Sequence, residues 1–319
     1  MNEFHGRIIR TDMDINLCNV TSLRFNLKHM KLQVLIGLLL MVFIFSCSPE
    51  QDEVIIISTP YGDMTAVLFD ETPVHKANFL ELAKSGKYDS VLFHRVINEF
   101  MIQTGNLATG KEEEGVGYTL PAEFVAEKYI HEKGALAAAR TGDAGNPEKK
   151  SSGSQFYIVH GEKFDDEGLV VRADRRQYLK LSGLFQRMLS SERYPELTEK
   201  FNYHVEKSRA DSTYDFNKAQ RDLIFNSIEI IEERFGPQGD PGYPDWAKEV
   251  YATVGGAPHL DGEYTVFGKV VEGLGIIDEI AGVATNQRDK PLADIRMDIK
   301  VVSMSKSEIT KKYGIIYPK

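Results

Sequence analysis

Cysteine is nearly absent: Cys18 and Cys47 are the only two in 319 residues, and neither sits at a spacing that makes a disulfide, a zinc site or a redox motif. Packing alone must hold the fold. Trp246 is the single tryptophan, and there is neither an internal repeat nor a low-complexity tract, which excludes solenoid and fibrous classes. Basic residues are outnumbered, 38 Lys and Arg against 47 Asp and Glu, for a net charge of -9. Residues 1–46 hold five basic groups and three acidic ones, so the remainder stands near -11. Such a body repels a phosphate backbone, and no basic stripe interleaved with aromatics is visible in the sequence to offset it, which argues against nucleic acid as a partner. What is present, 42% hydrophobic and 27% charged residues, is ordinary globular material.

A long apolar run is also missing. The longest, Val34 to Phe45, has 12 residues without a charge, too few to span a bilayer, which takes about 20. With Lys31 before it and Ser46-Cys47 after it, it reads as a signal-peptide core. Ile44-Phe45-Ser46-Cys47 resembles a bacterial lipobox, in which a small residue precedes the lipidated cysteine; Phe45 departs from that pattern. The expectation is a signal segment over 30–47, lipidation at Cys47, an acidic tether over 48–53, and a lipid-anchored protein of the bacterial cell envelope, periplasmic or surface-exposed. Residues 1–29 fit no part of a signal peptide and are expected to be a mis-assigned extension, with Met30 the start.

Beyond residue 53 the pattern is mainly β. Val54–Thr59 and Thr65–Asp70 flank a turn at 60–63 and predict a hairpin. Thr72-Pro73 predicts a helix start running to Ser85-Gly86. Short strands are expected at 91–97, 101–105, 135–140, 155–160, 264–271 and 297–304, and a helix at 274–280. From about 162 to 257 the period changes: Tyr178, Leu181, Phe185 and Met188, then Leu197, Phe201 and Val205, then Ile224, Ile228, Ile231 and Phe235 predict three amphipathic helices. The Gly-Pro-Gln-Gly-Asp-Pro-Gly run at 236–242 ends them.

The densest segment is Phe93-His94-Arg95-Val96-Ile97-Asn98-Glu99-Phe100-Met101-Ile102-Gln103-Thr104-Gly105. It resembles the cyclophilin signature FHRxxxxFMxQxG. Gly134 to Arg140 (GALAAAR), Gly153 to Ile158 (GSQFYI) and Leu260 to Val270 (LDGEYTVFGKV) resemble three further segments of that family, in its order. The resemblance implies an isomerase domain over 54–161 and 258–306, built as an eight-stranded antiparallel closed barrel capped by two helices. The inserted helical segment is 162–257, and 307–319 is a C-terminal tail. It implies a peptidyl-prolyl cis-trans isomerase acting on proline-containing polypeptides, without cofactor or metal; nothing in the sequence demands an oligomer, and a monomer is expected.

Elementary chemistry agrees that no cofactor is needed. Rotation about an X-Pro bond meets a barrier of about 18–20 kcal/mol, while the two isomers differ by only about 0.5–1 kcal/mol. An enzyme need only bind the twisted amide better than either planar form. In that state the nitrogen lone pair leaves conjugation and becomes an acceptor, so a fixed guanidinium donating to it stabilises the transition state alone. Arg95 is the candidate. By the resemblance, Phe100, Met101, Tyr157, Leu260 and Tyr264 line the proline pocket, Gln103 holds a substrate carbonyl with Gln155 helping to fix the groove, and the backbone of Ala139 and Arg140 pairs with the extended peptide.

Three positions depart from the family. His259 stands where many members have tryptophan, Tyr264 where many have histidine, and Tyr157 replaces phenylalanine, adding a hydroxyl at the pocket rim. Catalysis is expected to persist and cyclosporin-like inhibitors to bind weakly. His94 reads as structural, Asp165-Asp166-Glu167 as a solvated acidic loop, and Trp246 as packing of the insertion on the barrel. The ends of the insertion must emerge beside the groove, where it narrows the site, extends it or docks a protein partner. The competing readings are a non-catalytic peptide-binding chaperone or assembly factor and an envelope scaffold with an unused groove.

Overall fold

A computed structural model of the chain describes residues 50–317 apart from 113 and 239–241. Cys47, the expected extension and the signal segment lie outside the described residues. Among those described, no helix is long and apolar enough to cross a membrane. Residues 52–304 form one compact unit, and the remaining described residues belong to a second.

The strands are β1 (Gln51–Thr59), β2 (Gly62–Leu68), β3 (Val91–Leu92), β4 (Arg95–Ile97), β5 (Met101–Thr104), β6 (Thr119–Leu120), β7 (Ala135–Ala138), β8 (Ser151–Ser152), β9 (Phe156–Val159), β10 (Val266–Glu272) and β11 (Arg296–Ser305). Nine of them make one curled sheet in the order β3-β11-β1-β2-β10-β7-β9-β5-β4, and β6 with β8 makes a separate pair. The two end strands of that order are adjacent in the chain. Phe93 N–H donates to the carbonyl of Ile295 beside β11, and His94 N–H donates to that of Gln103 on β5. The sheet's two ends therefore meet in one stretch of backbone, with no ladder between β3 and β4, where the sequence predicts eight strands closed into a barrel. The single expected strand at 91–97 becomes two because it serves both ends.

Alternation along the strands builds two apolar layers. Val96, Ile102, Leu136, Ala138, Phe156, Ile158 and Phe267 point inward to the main core. Their neighbours Met101, Ala135, Ala137, Tyr157, Val159 and Val266 form a second cluster on the outer face. All four residues of β7 and of β9 are buried. A strand buried on both sides has no solvated face, so something covers the outside here, and that cover is the functional site.

Helix α1 (Pro73–Lys84) packs His75, Phe79, Leu80, Leu82 and Ala83 inward. It starts where Thr72-Pro73 predicts, but the Thr72 side chain does not cap it. The Thr72 hydroxyl turns back to the Phe69 carbonyl, and the first amides are satisfied by Glu123, whose carboxylate accepts from Val74 N–H at 3.1 Å and His75 N–H at 3.0 Å. The orphan donors of a helix end need a partner, and any acceptor that the fold delivers will serve. The expected tether is likewise shorter: Asp52 and Glu53 belong to β1 and pair with Lys76 and Lys84 of α1. The expected tail also contains a helix, Lys306–Tyr313, opened by a capping box between Ser305 and Glu308.

The insertion carries α2 (Asp166–Leu189), α3 (Pro195–Ala210), α4 (Phe216–Phe225), α5 (Ile228–Phe235) and α6 (Asp245–Thr253). The third expected helix is thus two, parted at Asn226-Ser227, where the Ser227 hydroxyl bonds back to the Leu223 carbonyl. Leu181, Phe185, Met188, Leu197, Leu223, Ile224 and Ile231 give these helices a core of their own. The segment leaves and returns at one neck, where Glu162 and Gly256 exchange backbone hydrogen bonds of 3.1 and 2.9 Å. A Cβ on Gly161 would stand 2.4 Å from the Gly256 backbone, so only glycine allows this approach. Trp246 differs from expectation: it is 42% exposed, and Tyr243, Ala247 and Tyr251 make the buried contacts with Ile130 and Phe164 instead. Asp165 is no loose acidic loop, because its carboxylate caps α2 by accepting from Gly168 N–H. After β10 the helix α7 (Leu274–Ala281) closes the unit.

Candidate active site

Strand register brings the predicted residues together. Arg95 on β4 lies opposite Gln103 on β5, Gln103 opposite Tyr157 on β9, and Tyr157 opposite Ala137 on β7. Residues opposite one another share a face, so a guanidinium, an amide and an aromatic ring form a row across the outer layer. One step along β5, Met101 sits opposite Val159 and supplies the apolar floor. Leu260, on a short helical turn at Pro258–Leu260, packs against that floor together with Ala257. Phe100 and Tyr264, each part-buried, edge it. The Tyr264 ring stands edge-on to Tyr157 with centroids 6.0 Å apart, and Phe100 lies 5.3 Å from the His259 ring.

The polar groups are held differently. The Arg95 side chain is 43% exposed, and its Nε donates to Asp289 at 3.3 Å, which leaves both terminal nitrogens of the fork for another acceptor. Gln103 Nε2 donates to Gln155 Oε1 at 3.3 Å. The expected strand-like pairing at Ala139 needs correction, because its N–H already donates to the Gln155 carbonyl and its own carbonyl accepts from Ser152 N–H. The fold has used both backbone groups of Ala139 itself. The Arg140 side chain is a brace: Nε donates to the Glu263 carbonyl at 2.8 Å, a terminal nitrogen to Asp143 at 2.6 Å, and the guanidinium lies 4.4 Å over the Tyr264 ring.

Behind the floor lies a network that the sequence reading did not assemble. The Tyr157 hydroxyl is not at a rim: the residue is 5% exposed, and the hydroxyl meets His131 Nε2 at 3.1 Å. Asp261 accepts from the His131 backbone N–H at 2.8 Å, lies 2.9 Å from His131 Nδ1 and accepts from the Tyr251 hydroxyl at 2.6 Å. A tautomer with the proton on Nδ1 therefore donates to Asp261 and accepts from Tyr157. Burial pushes both tyrosine hydroxyls well above their usual range, so they stay protonated donors. Tyr251 belongs to α6, so the insertion shares one hydrogen-bonded chain with Tyr157 and the apolar floor. Asp261 was inside a recognised segment, but nothing in the sequence points to His131 or Tyr251 as its partners.

His259 stands at the cavity side of Phe100. Partial burial first, then the positive charges of Arg172 and Arg175, hold its imidazole down to about 4, so it is neutral at pH 7. Among the described residues no group of three histidine, cysteine or acidic side chains could hold a metal ion.

The family described as cyclophilin type peptidyl-prolyl cis-trans isomerase/CLD matches residues 54–171 and 248–301. A relative from Streptococcus pyogenes, named as a bifunctional phosphatase/peptidyl-prolyl cis-trans isomerase, is 32% identical over 244 residues. That match takes in 75% of this chain and 36% of the relative, so the chain spans about a third of that protein's length. Relatives named as peptidyl-prolyl cis-trans isomerases in Staphylococcus saprophyticus and Staphylococcus aureus are each 30% identical, over 76% and 77% of this chain and 88% and 90% of their own. Among solved structures, a cyclophilin-type isomerase of Cryptosporidium parvum is similar with a TM-score of 0.44 and 19% identity, covering 79% of this chain and 99% of that one.

Proposed function

This chain belongs to the cyclophilin-type peptidyl-prolyl cis-trans isomerase family, and we propose that it turns X-Pro bonds in exported or envelope polypeptides through Arg95, assisting their folding. The observation that carries this is the in-register row Arg95, Gln103 and Tyr157 beside the Met101 floor. The substrate proline ring rests among Phe100, Met101, Tyr157 and Leu260, where burying an apolar side chain of that size contributes about 1.5–3 kcal/mol without preference for either isomer. Gln103, oriented by Gln155, holds a neighbouring carbonyl. As the amide twists, its nitrogen turns toward the fork of Arg95 and accepts a hydrogen bond that neither planar form can take. The signal-like segment ending at Cys47 supports an envelope location with clients met outside the cytoplasm. The phosphatase half of the streptococcal relative's name has no counterpart in this reading.

The test is the isomerisation rate of a short X-Pro peptide with the full chain and with Arg95→Ala. Loss of one pre-aimed donor is expected to lower kcat/KM by about 100-fold or more, with the melting temperature unchanged because Arg95 is half-exposed. Equal rates would remove Arg95 from the mechanism. Absence of acceleration by the intact chain would overturn the reading itself and leave a peptide-binding chaperone.

A further inference from the structure

A cavity of about 1360 Å³ opens beside the row just described, walled on one side by Arg140, His259 and Tyr264 and on the other by α2. It is larger than a small-molecule pocket of about 300–1,000 Å³, and it shares Tyr264 and Arg140 with the proline site. A polypeptide continuing out of that site would run into it. Helix α2 packs on the turn that bears His259 and Leu260, so its near face is the cavity's far wall.

That wall is basic. Arg172, Arg175, Arg176, Lys180 and Arg187 all line the cavity; Arg172, Arg176 and Lys180 follow one another at four residues, Arg175 lies three beyond Arg172, and Arg187 stands seven residues beyond Lys180, a stripe that only the helix assembles. Some of the charge is answered. Arg172 pairs with Glu162, and Arg176 and Arg187 lie over the rings of Tyr243 and Phe235. Arg175 and Lys180 are exposed and form no ion pair among the described residues. Most of the cavity's acidic side chains are already taken: Asp143 and Glu263 by Arg140 and Lys149, Asp261 by His131 and Tyr251; Glu127 alone has no such partner. A protein of net charge -9 thus presents concentrated positive charge at the mouth of its substrate site.

Resting on the isomerase reading, we propose that this cavity is the outer part of the substrate site and that α2 selects polypeptides carrying aspartate or glutamate near the isomerised proline, their carboxylates pairing with Arg175 and Lys180. A polypeptide is favoured over a nucleic acid because the cavity is continuous with a proline pocket and the rest of the chain is acidic.

The test uses the full chain and two labelled X-Pro peptides that differ only in glutamate or lysine residues flanking the proline, with a neutral peptide as reference. The glutamate peptide should show a kcat/KM roughly fivefold or more above the lysine peptide at low salt, as two exposed charge contacts provide, mostly through KM. The preference should fade in 0.5 M salt and reverse in Arg175→Glu/Lys180→Glu, whose folding is checked by circular dichroism. Equal values for the two peptides while the neutral one is accelerated would overturn the inference and leave the isomerase reading standing. Fluorescence anisotropy of the same peptides reads the preference without turnover: a charge preference in binding with no acceleration of any peptide would keep the charge selection by α2 and overturn the isomerase reading, leaving a peptide-binding chaperone. Displacement of the glutamate peptide only by single-stranded DNA, with no preference between the peptides, would reassign the stripe to nucleic acid.

Discussion

The outer face of the sheet and the helical insertion solve one problem in opposite ways. Around Met101 and Tyr157, β7 and β9 are buried on both sides, and the positions of Arg95, Met101, Gln103 and Tyr157 follow from register with rigid neighbours. Helices α2 to α5 instead bury a separate cluster around Phe185 and Ile224, and α2 leaves charge on the face turned to the cavity. A site that must aim one donor at one atom needs the first arrangement; a wall that recognises only the sign of charge can use the second. The two meet at Asp261, where Tyr251 of α6 and His131 converge behind Tyr157.

Removing Phe185 should separate the two regions most. It is wholly buried at the centre of the insertion core, and Phe185→Ala is expected to cost about 3–5 kcal/mol. If the insertion has its own stability, urea unfolding followed by far-UV circular dichroism will show an early loss of helix ahead of the main transition. A single displaced transition would mean that the regions unfold together and would weaken the contrast drawn here.

The shared network is the next lever. Tyr251→Phe leaves a buried carboxylate short of a donor, at a cost of about 1–3 kcal/mol, and should also lower kcat for a short X-Pro peptide if Asp261 and His131 orient Tyr157. Tyr157→Phe removes a single bond to His131 and is expected to cost about 1 kcal/mol with isomerisation retained. A Tyr251→Phe variant that loses stability and no activity would confine the network to structure.

Acid should act on both regions through histidine. His75, His94, His160 and His259 all have their basicity lowered, burial being the first cause in each. The unfolded chain therefore takes up protons that the folded one refuses, and stability rises with pH in that window. The contribution is fully present above about pH 6.5, where an unperturbed imidazole is neutral, and is lost as pH falls toward 4. The melting temperature should decline steadily from pH 7 to pH 4.5, and a smaller decline in His259→Gln would assign part of it to the cavity. The smallest effect is expected at Asp289, whose pair with Arg95 is half-exposed. Asp289→Asn should change stability by no more than about 1 kcal/mol, and a kcat/KM change confined to a few-fold would show that register, more than this pair, aims Arg95.

Local pattern carried a good part of this. The hairpin Arg95 to Gln103, the strands at 135–138 and 156–159 and most of the insertion's helices are visible because alternation and the 3.6-residue period are properties of neighbouring residues. The break at Asn226-Ser227 was not legible, because Ile224, Ile228 and Ile231 keep a helical period straight through it. The real cap of α1 is Glu123, 51 residues beyond Thr72, and no local rule points there.

The sequence by itself therefore determined most of the strands and helices and which residue types, an arginine, a glutamine and a cluster of apolar side chains, could serve rotation about a prolyl bond. Tertiary structure decided what surrounds them: that Ala139 is already paired, that the Tyr157 hydroxyl is buried against His131, and that a basic face of α2 stands across a cavity from Arg140 and Tyr264. These depend on contacts between segments tens to more than a hundred residues apart, and chain closure over such distances is set by the packing of whole elements, which no short window of sequence contains.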